Sequence, residues 1–152
     1  MSQIETRLAE LGVTLPDAPA PAANYVPFVV LGDLVYVSGQ ISSGPDGLIK
    51  GVLGDDLSVE QGALAAKACA ISLLAQLKAA CGGDLDRLKR VVKLTAFVNS
   101  APGFIDQPKV VNGASDFLVE ALGEAGRHAR SAVGASLPMG VAVEIEAIFQ
   151  IE

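Results

Sequence analysis

The 152-residue sequence has no tryptophan, one histidine and two cysteines. With His128 as its single histidine, it cannot build the multi-histidine sites that hold catalytic zinc or iron. Cys69 and Cys81 fall twelve positions apart in one helical pattern, too far along one helix to join in a disulfide. Reduced thiols in a cytoplasmic protein are therefore expected. No CxxC pair, serine-nucleophile elbow or glycine-rich phosphate loop is present. Positive charge is also scarce, with 11 Lys and Arg against 17 Asp and Glu and a net charge of −6. Nucleic acid is not an expected partner, because its phosphates would be repelled without a clustered basic patch. The nearest approach to one is Arg87, Lys89, Arg90 and Lys93, which lead into a strand. No apolar run reads as a membrane span and no export signal opens the chain, so a membrane partner is not expected either.

What is present is apolar. Hydrophobic residues make up 51% of the chain and charged residues 18%. At this length a single domain is expected, burying roughly 68–70% of its extended surface. The apolar excess points to surface buried between subunits.

Ser2 to Gly12 reads as a short helix with a Ser2/Glu5 capping box, within an N-terminal segment of residues 1–12. Residues 13–24 form an extended Pro/Ala stretch, and residues 25–152 the core. Tyr25 to Gln40 predicts a hairpin turning at Gly32-Asp33, and Ser43 to Gly47 a turn. Ser58 to Cys81 predicts the long helix, with a Ser58/Gln61 capping box. Its buried stripe is Ala66, Cys69, Ala70, Leu73, Leu74 and Leu77. Leu64 and Ile71 fall on its polar side and call for a cover, which the N-terminal helix is expected to supply. Arg90 to Asn99 predicts a strand covered on both faces. Ile105 to Gly123 predicts a second helix with core stripe Val110, Ala114, Phe117, Leu118 and Ala121, and with Asn112 off that stripe. The element order β-β-α-β-α-β-β predicts an α+β fold with both main helices on one face of the sheet.

The chain closes on RSAVGASLP and GVAVEIEAIFQIE, read as two strands of a hairpin that reverses at Leu137 to Gly140. Arg130 shares a strand face with Ala132, Gly134 and Ser136, all small, as an anion pocket would require, although these residues alone favour an ordinary surface hairpin with solvated charges. A guanidinium offers a carboxylate a planar two-pronged donor. Glu144 and Glu146 share the polar face of the last strand, and the strand register decides whether Arg130 joins them. His128 reads as a solvated loop histidine, Cys69 as an inert core thiol and Cys81 as a more exposed one.

Five pieces in order carry a resemblance: YV…LG…YVSGQ (Tyr25 to Gln40), KLTAFVN (Lys93 to Asn99), Val111-Asn112, RSAVGASLP and VEIEA. From about residue 20 onward the chain resembles the Rid family, also called YjgF-type proteins, and the extra N-terminal helix marks a longer subgroup. The resemblance implies a chorismate-mutase-like α+β fold assembled as homotrimers, with a ligand cleft between subunits. It also implies cofactor-free, metal-free hydrolysis of reactive 2-imino acids, formed from enamines, to 2-oxo acids and ammonia. By motif, Arg130 matches the arginine that pairs with the substrate carboxylate. Glu144 matches the glutamate that holds or activates water. Tyr25 and Asn112 match positions lining the cleft, and Gly39 the glycine whose backbone approaches the ligand. The sequence departs from the family pattern in three ways. The span from Arg130 to Glu144 is one residue shorter, that from Asn112 to Arg130 one longer, and Ala132 stands where cysteine is common. Two other functions fit the residues: a trimeric, non-catalytic binder of small carboxylate metabolites using Arg130 and, least well given the acidic balance, an endoribonuclease.

Overall fold

The computed structural model describes residues 2–152; Met1, the first residue of the expected N-terminal segment, lies outside the described residues. The chain forms α1 (Gln3–Glu10), β1 (Phe28–Leu31), β2 (Leu34–Ile41), the short strands β3 (Ser43–Gly44) and β4 (Gly47–Leu48), and α2 (Val59–Ala80). It continues with β5 (Leu88–Val98), α3 (Gln107–Leu122), β6 (Ala129–Gly134) and β7 (Val143–Ile151). The main sheet is mixed, with strand order β1-β2-β7-β5-β6, and β3 pairs with β4 in a separate two-stranded sheet.

Helix starts follow the local chemistry. Ser58 Oγ accepts the Gln61 N–H at 3.2 Å while Gln61 Oε1 accepts the Ser58 N–H at 2.8 Å, which satisfies two donors otherwise left open at the start of α2. Ser2 and Glu5 do the same for α1. The predicted stripes of α2 and α3 are buried in full, beneath Val143, Ile145, Ala147 and Phe149 of β7. Each buried leucine of α2 contributes about 1.5–3 kcal/mol by leaving water. Gly113 of α3 lies where the two helices approach each other. A Cβ there would overlap the Ala63 carbonyl of α2 and stand 2.7 Å from Ala63 Cα. By length and composition α2 is a candidate membrane span, contrary to the expectation that no run reaches that size, but over half of it is buried inside the domain.

Three further expectations are corrected. The last two strands are not a hairpin. β6 runs parallel to β5, with Arg130 opposite Leu94, and β7 lies antiparallel on the other side of β5. The β5–α3–β6 stretch is a crossover unit, and such units make parallel neighbours. Residues 135–142 then pass over the end of β5: Ala135 N–H bonds Val98 O, and Asn99 N–H bonds Ala142 O. Second, β5 is covered on one face only. Thr95 and Phe97, on its other face, are half-buried, and Lys93 beside them is exposed. Third, α1 does not cover Leu64, which is 67% exposed. Asp86 accepts the Gln3 and Ile4 N–H groups, Arg7 Nε donates to Glu120 O, and Glu5 pairs with Lys78, so α1 docks at the far end of α2. The segment after α1 lines a cavity with Ile71 instead. Cys81 is also buried rather than exposed, and burial pushes its thiol pKa up.

Candidate functional site

Alternation along β7 turns Val143 and Ile145 into the core and leaves Glu144 on the face that no helix covers. Glu144 lies opposite Ile41 of β2 and Phe97 of β5. Between Val37, which pairs with Ala147, and Gln40, which pairs with Ile145, β2 carries one extra residue. Such bulges re-aim a strand beside functional sites. This one, at Ser38-Gly39, presses the backbone against the glutamate. A Cβ on Gly39 would overlap Glu144 Oε2 and stand 2.9 Å from its Cδ. Burial raises the Glu144 pKa, Glu146 on the same face adds to the effect, and no hydrogen bond from the described residues opposes it.

Glu144 and Gly39 form the floor of a cavity of about 700 Å³. Tyr25 and the extended strap from Pro19 to Ala23 form its wall, and Pro138 and Met139 its rim. The Tyr25 hydroxyl accepts the Ala22 N–H at 3.3 Å, which ties ring and strap together. The sequence-predicted residues Tyr25, Gly39 and Glu144 are thus brought to one site.

Arg130 and Asn112 lie elsewhere. Arg130 Nη1 donates to Ser115 Oγ at 3.0 Å and Nη2 to the Pro108 carbonyl at 3.2 Å, both on α3. Asn112 is exposed and falls on the same face of α3, four residues after Pro108 and three before Ser115. The network extends to His128, which is half-buried rather than solvated. His128 Nδ1 is 2.6 Å from the Gly126 carbonyl, which only accepts, so the hydrogen is assigned to Nδ1. His128 Nε2 therefore accepts the Ser115 hydroxyl hydrogen at 2.9 Å, leaving the serine lone pairs for Arg130. Burial lowers the His128 pKa, and the Arg130 charge acts the same way against the Gly126 carbonyl. The outcome is a guanidinium held at two points by α3, with its remaining N–H donors available to an anion.

The register question raised by the sequence is thereby answered. Leu94 is buried under the helices and pairs with both Arg130 and Ala147, so Arg130 is on the helix face of the sheet and Glu144 on the open face. With two strand spacings across and three residues along, their Cα atoms are roughly 14 Å apart. A single chain does not bring them onto one small substrate. Sequence reasoning missed Ser115 and His128 as partners of Arg130 and the strap as a wall of the Glu144 cavity. A detectable signal was His128 standing two residues before Arg130, on the same face of the strand. Among the described residues, no group of three or more His, Cys, Asp and Glu is placed to hold a metal ion. Cys69 is inert: burial, and then the Glu144 charge, push its pKa far up.

Residues 5–143 match the family described as "YjgF/chorismate_mutase-like, putative endoribonuclease". The chain belongs to this YjgF family. A Trypanosoma cruzi relative, Protein TCP17, is 49% identical over 152 residues, covering 98% of this chain and 94% of that one. The crystal structure of Atu1372 from Agrobacterium tumefaciens, a protein of unknown function, superposes with a TM-score of 0.91 at 50% identity, covering 98% of this chain and 93% of that one. A more distant YjgF relative, the 2-iminobutanoate/2-iminopropanoate deaminase of Dermatophagoides farinae, is 29% identical over 143 residues, covering 92% of this chain and 95% of that one. The mixed sheet carrying two main helices on one face, with the short N-terminal helix α1 added, is thus a YjgF-type, chorismate-mutase-like fold.

Proposed function

We propose that this YjgF protein hydrolyses 2-imino acids, or the enamines that tautomerise to them, to 2-oxo acids and ammonia without a cofactor. The site is shared between subunits of a homotrimer: the Glu144 cavity of one subunit faces the Arg130 cradle of the next. The observation that carries this reading is Glu144, a half-buried carboxylate at the floor of a cavity, with no hydrogen bond among the described residues and a raised pKa. A carboxylate in that condition is suited to take a proton from water and return it within one turnover.

Arg130 pairs with the substrate carboxylate through the N–H donors that α3 leaves free, a charge-assisted contact worth about 1.5–3 kcal/mol. Glu144 takes a proton from water as the water oxygen bonds to C2 and the C=N electron pair moves to nitrogen. Glu144 returns its proton to nitrogen, and the resulting carbinolamine collapses: the hydroxyl proton also passes to nitrogen, the C=O forms, the C–N bond breaks, and nitrogen departs as ammonia. One imine and one water give one 2-oxo acid and one ammonia. The relationship to the mite deaminase supports this reaction class.

The experiment uses imines generated in place by an amino-acid oxidase from several amino acids, following imine loss and 2-oxo acid appearance. Wild type accelerates both, and Arg130→Ala and Glu144→Gln do not. No acceleration with any imine would overturn the reading. The second reading, a non-catalytic carboxylate binder, is favoured by one feature: the Arg130 cradle is complete without Glu144. It would be upheld if wild type bound 2-oxo acids through Arg130 and turned over no imine.

A further inference from the structure

The Pro/Ala stretch does more than link α1 to β1. Pro19, Ala20, Pro21, Ala22 and Ala23 form one wall of the Glu144 cavity, so its largest continuous lining is apolar and made of small side chains. Small residues on a wall make room. The cavity, at about 700 Å³, is within the range that drug-sized ligands fill, and a two- or three-carbon imino acid leaves most of it empty.

The strap is also latched from below at a cost. Gln76 of α2 is 1% exposed, and its Nε2 donates to the Pro19 carbonyl at 2.6 Å. The same Nε2 is 3.5 Å from Oε1 of Gln40, a residue that lines the cavity, and Gln76 Oε1 has no partner among the described residues. A buried acceptor without a partner is destabilising, and an apolar side chain of the same shape would remove that penalty. Turning the amide over would set its oxygen against the Pro19 carbonyl, so the orphan is a consequence of holding the strap.

We propose that the strap is the specificity wall of this site and Gln76 its positioning residue, and that the substrate carries a bulky apolar side chain, as the imines of leucine or phenylalanine do. This rests on the deaminase reading for the reaction but not for the binding preference. Each extra methylene fitted into an apolar pocket changes the specificity constant by roughly 10-fold or more.

The test compares imines made from alanine, leucine and phenylalanine, in wild type, Gln76→Leu and Ala22→Phe. It also measures binding of pyruvate and 4-methyl-2-oxopentanoate, with the alanine methyl NMR signals of the strap as reporter. The expected result is kcat/KM at least ~10-fold higher for the leucine-derived imine than for the alanine-derived one. Gln76→Leu and Ala22→Phe then raise KM several-fold more for the leucine- and phenylalanine-derived imines than for the alanine-derived one. A preference for the alanine-derived imine, or variants that change all substrates alike, would overturn the wall. If no imine is turned over and 4-methyl-2-oxopentanoate still binds more tightly than pyruvate with shifts in the strap signals, the wall stands and the deaminase reading falls. If no imine is turned over and neither acid is preferred, both fall.

Discussion

The two halves of the proposed site would solve different physical problems. The arginine half is fixed in advance: Ser115 and Pro108 accept two of the Arg130 N–H groups, and His128 and Gly126 hold Ser115 in turn. The glutamate half is left unsatisfied, since Glu144 is half-buried, without a hydrogen bond among the described residues, and pressed by a backbone bulge. An anchor benefits from rigidity, because an arginine already fixed loses little freedom on binding. A proton carrier benefits from a strained ionisation, because its pKa must lie near the working pH.

The sharpest way to break this comparison is to separate the halves. Arg130→Ala should lower kcat/KM on the order of 100- to 1,000-fold, and Glu144→Gln on the order of 100- to 10,000-fold. If the site is shared between subunits, unfolding the two variants together and refolding them should restore roughly a quarter of wild-type activity. In randomly mixed trimers one interface in four joins an intact glutamate to an intact arginine. No recovery from a mixture that reassembles would show that the two residues do not complete one site across the subunit interface.

Gly39→Ala is the next largest. Its Cβ displaces the Glu144 carboxylate, which has a flexible side chain and moves without disturbing the core. A fall in kcat on the order of 10- to 100-fold is expected with the melting temperature nearly unchanged.

Acidity separates the halves again. The raised Glu144 pKa means that activity falls as pH drops through it, above the ordinary carboxylate value. For stability, the unfolded chain ionises Glu144 more readily, so its destabilising contribution is absent below about pH 4.5 and grows as pH rises toward the folded pKa. Glu144→Gln should therefore raise the melting temperature at neutral pH while abolishing turnover. His128 behaves oppositely. Its folded pKa is lowered, so the unfolded chain binds the proton first. The neutral-histidine contribution is fully present above about pH 6.5 and is lost as pH falls below that. Melting curves of wild type and His128→Gln across that window would check the sign.

The smallest effect is expected from Ser115→Ala. It removes one hydrogen bond to Arg130 and leaves the one to Pro108, so carboxylate binding should weaken roughly 2- to 10-fold by calorimetry.

Much of this was legible in the residues. The caps at Ser2 and Ser58, the buried stripes of α2 and α3, and the hairpin turning at Gly32-Asp33 all follow local rules of period and hydrogen bonding. Alternation placed Glu144 opposite the core face of its strand. What alternation does not carry is the identity of the neighbouring strand, so β6 and β7 read as a hairpin although β5 lies between them. The bulge at Ser38-Gly39 was hidden for the same reason, since an extra residue is visible only against a partner. Ser115 and His128 sit in different elements and meet only because α3 packs over β6. The site residues Arg130, Glu144, Tyr25, Gly39 and Asn112 came from a pattern of motifs, and their division between two sheet faces came from the register.

Gly113 carries a consequence for inheritance. It stands beside Asn112, in the stretch of α3 that holds Arg130, and its hydrogen is all that fits against the Ala63 carbonyl. A single methyl there pushes the helices apart and moves the arginine's support with them. In a saturation screen, position 113 would score with the active-site residues while touching no ligand. Its intolerance would record the spacing of two helices rather than any chemistry of its own.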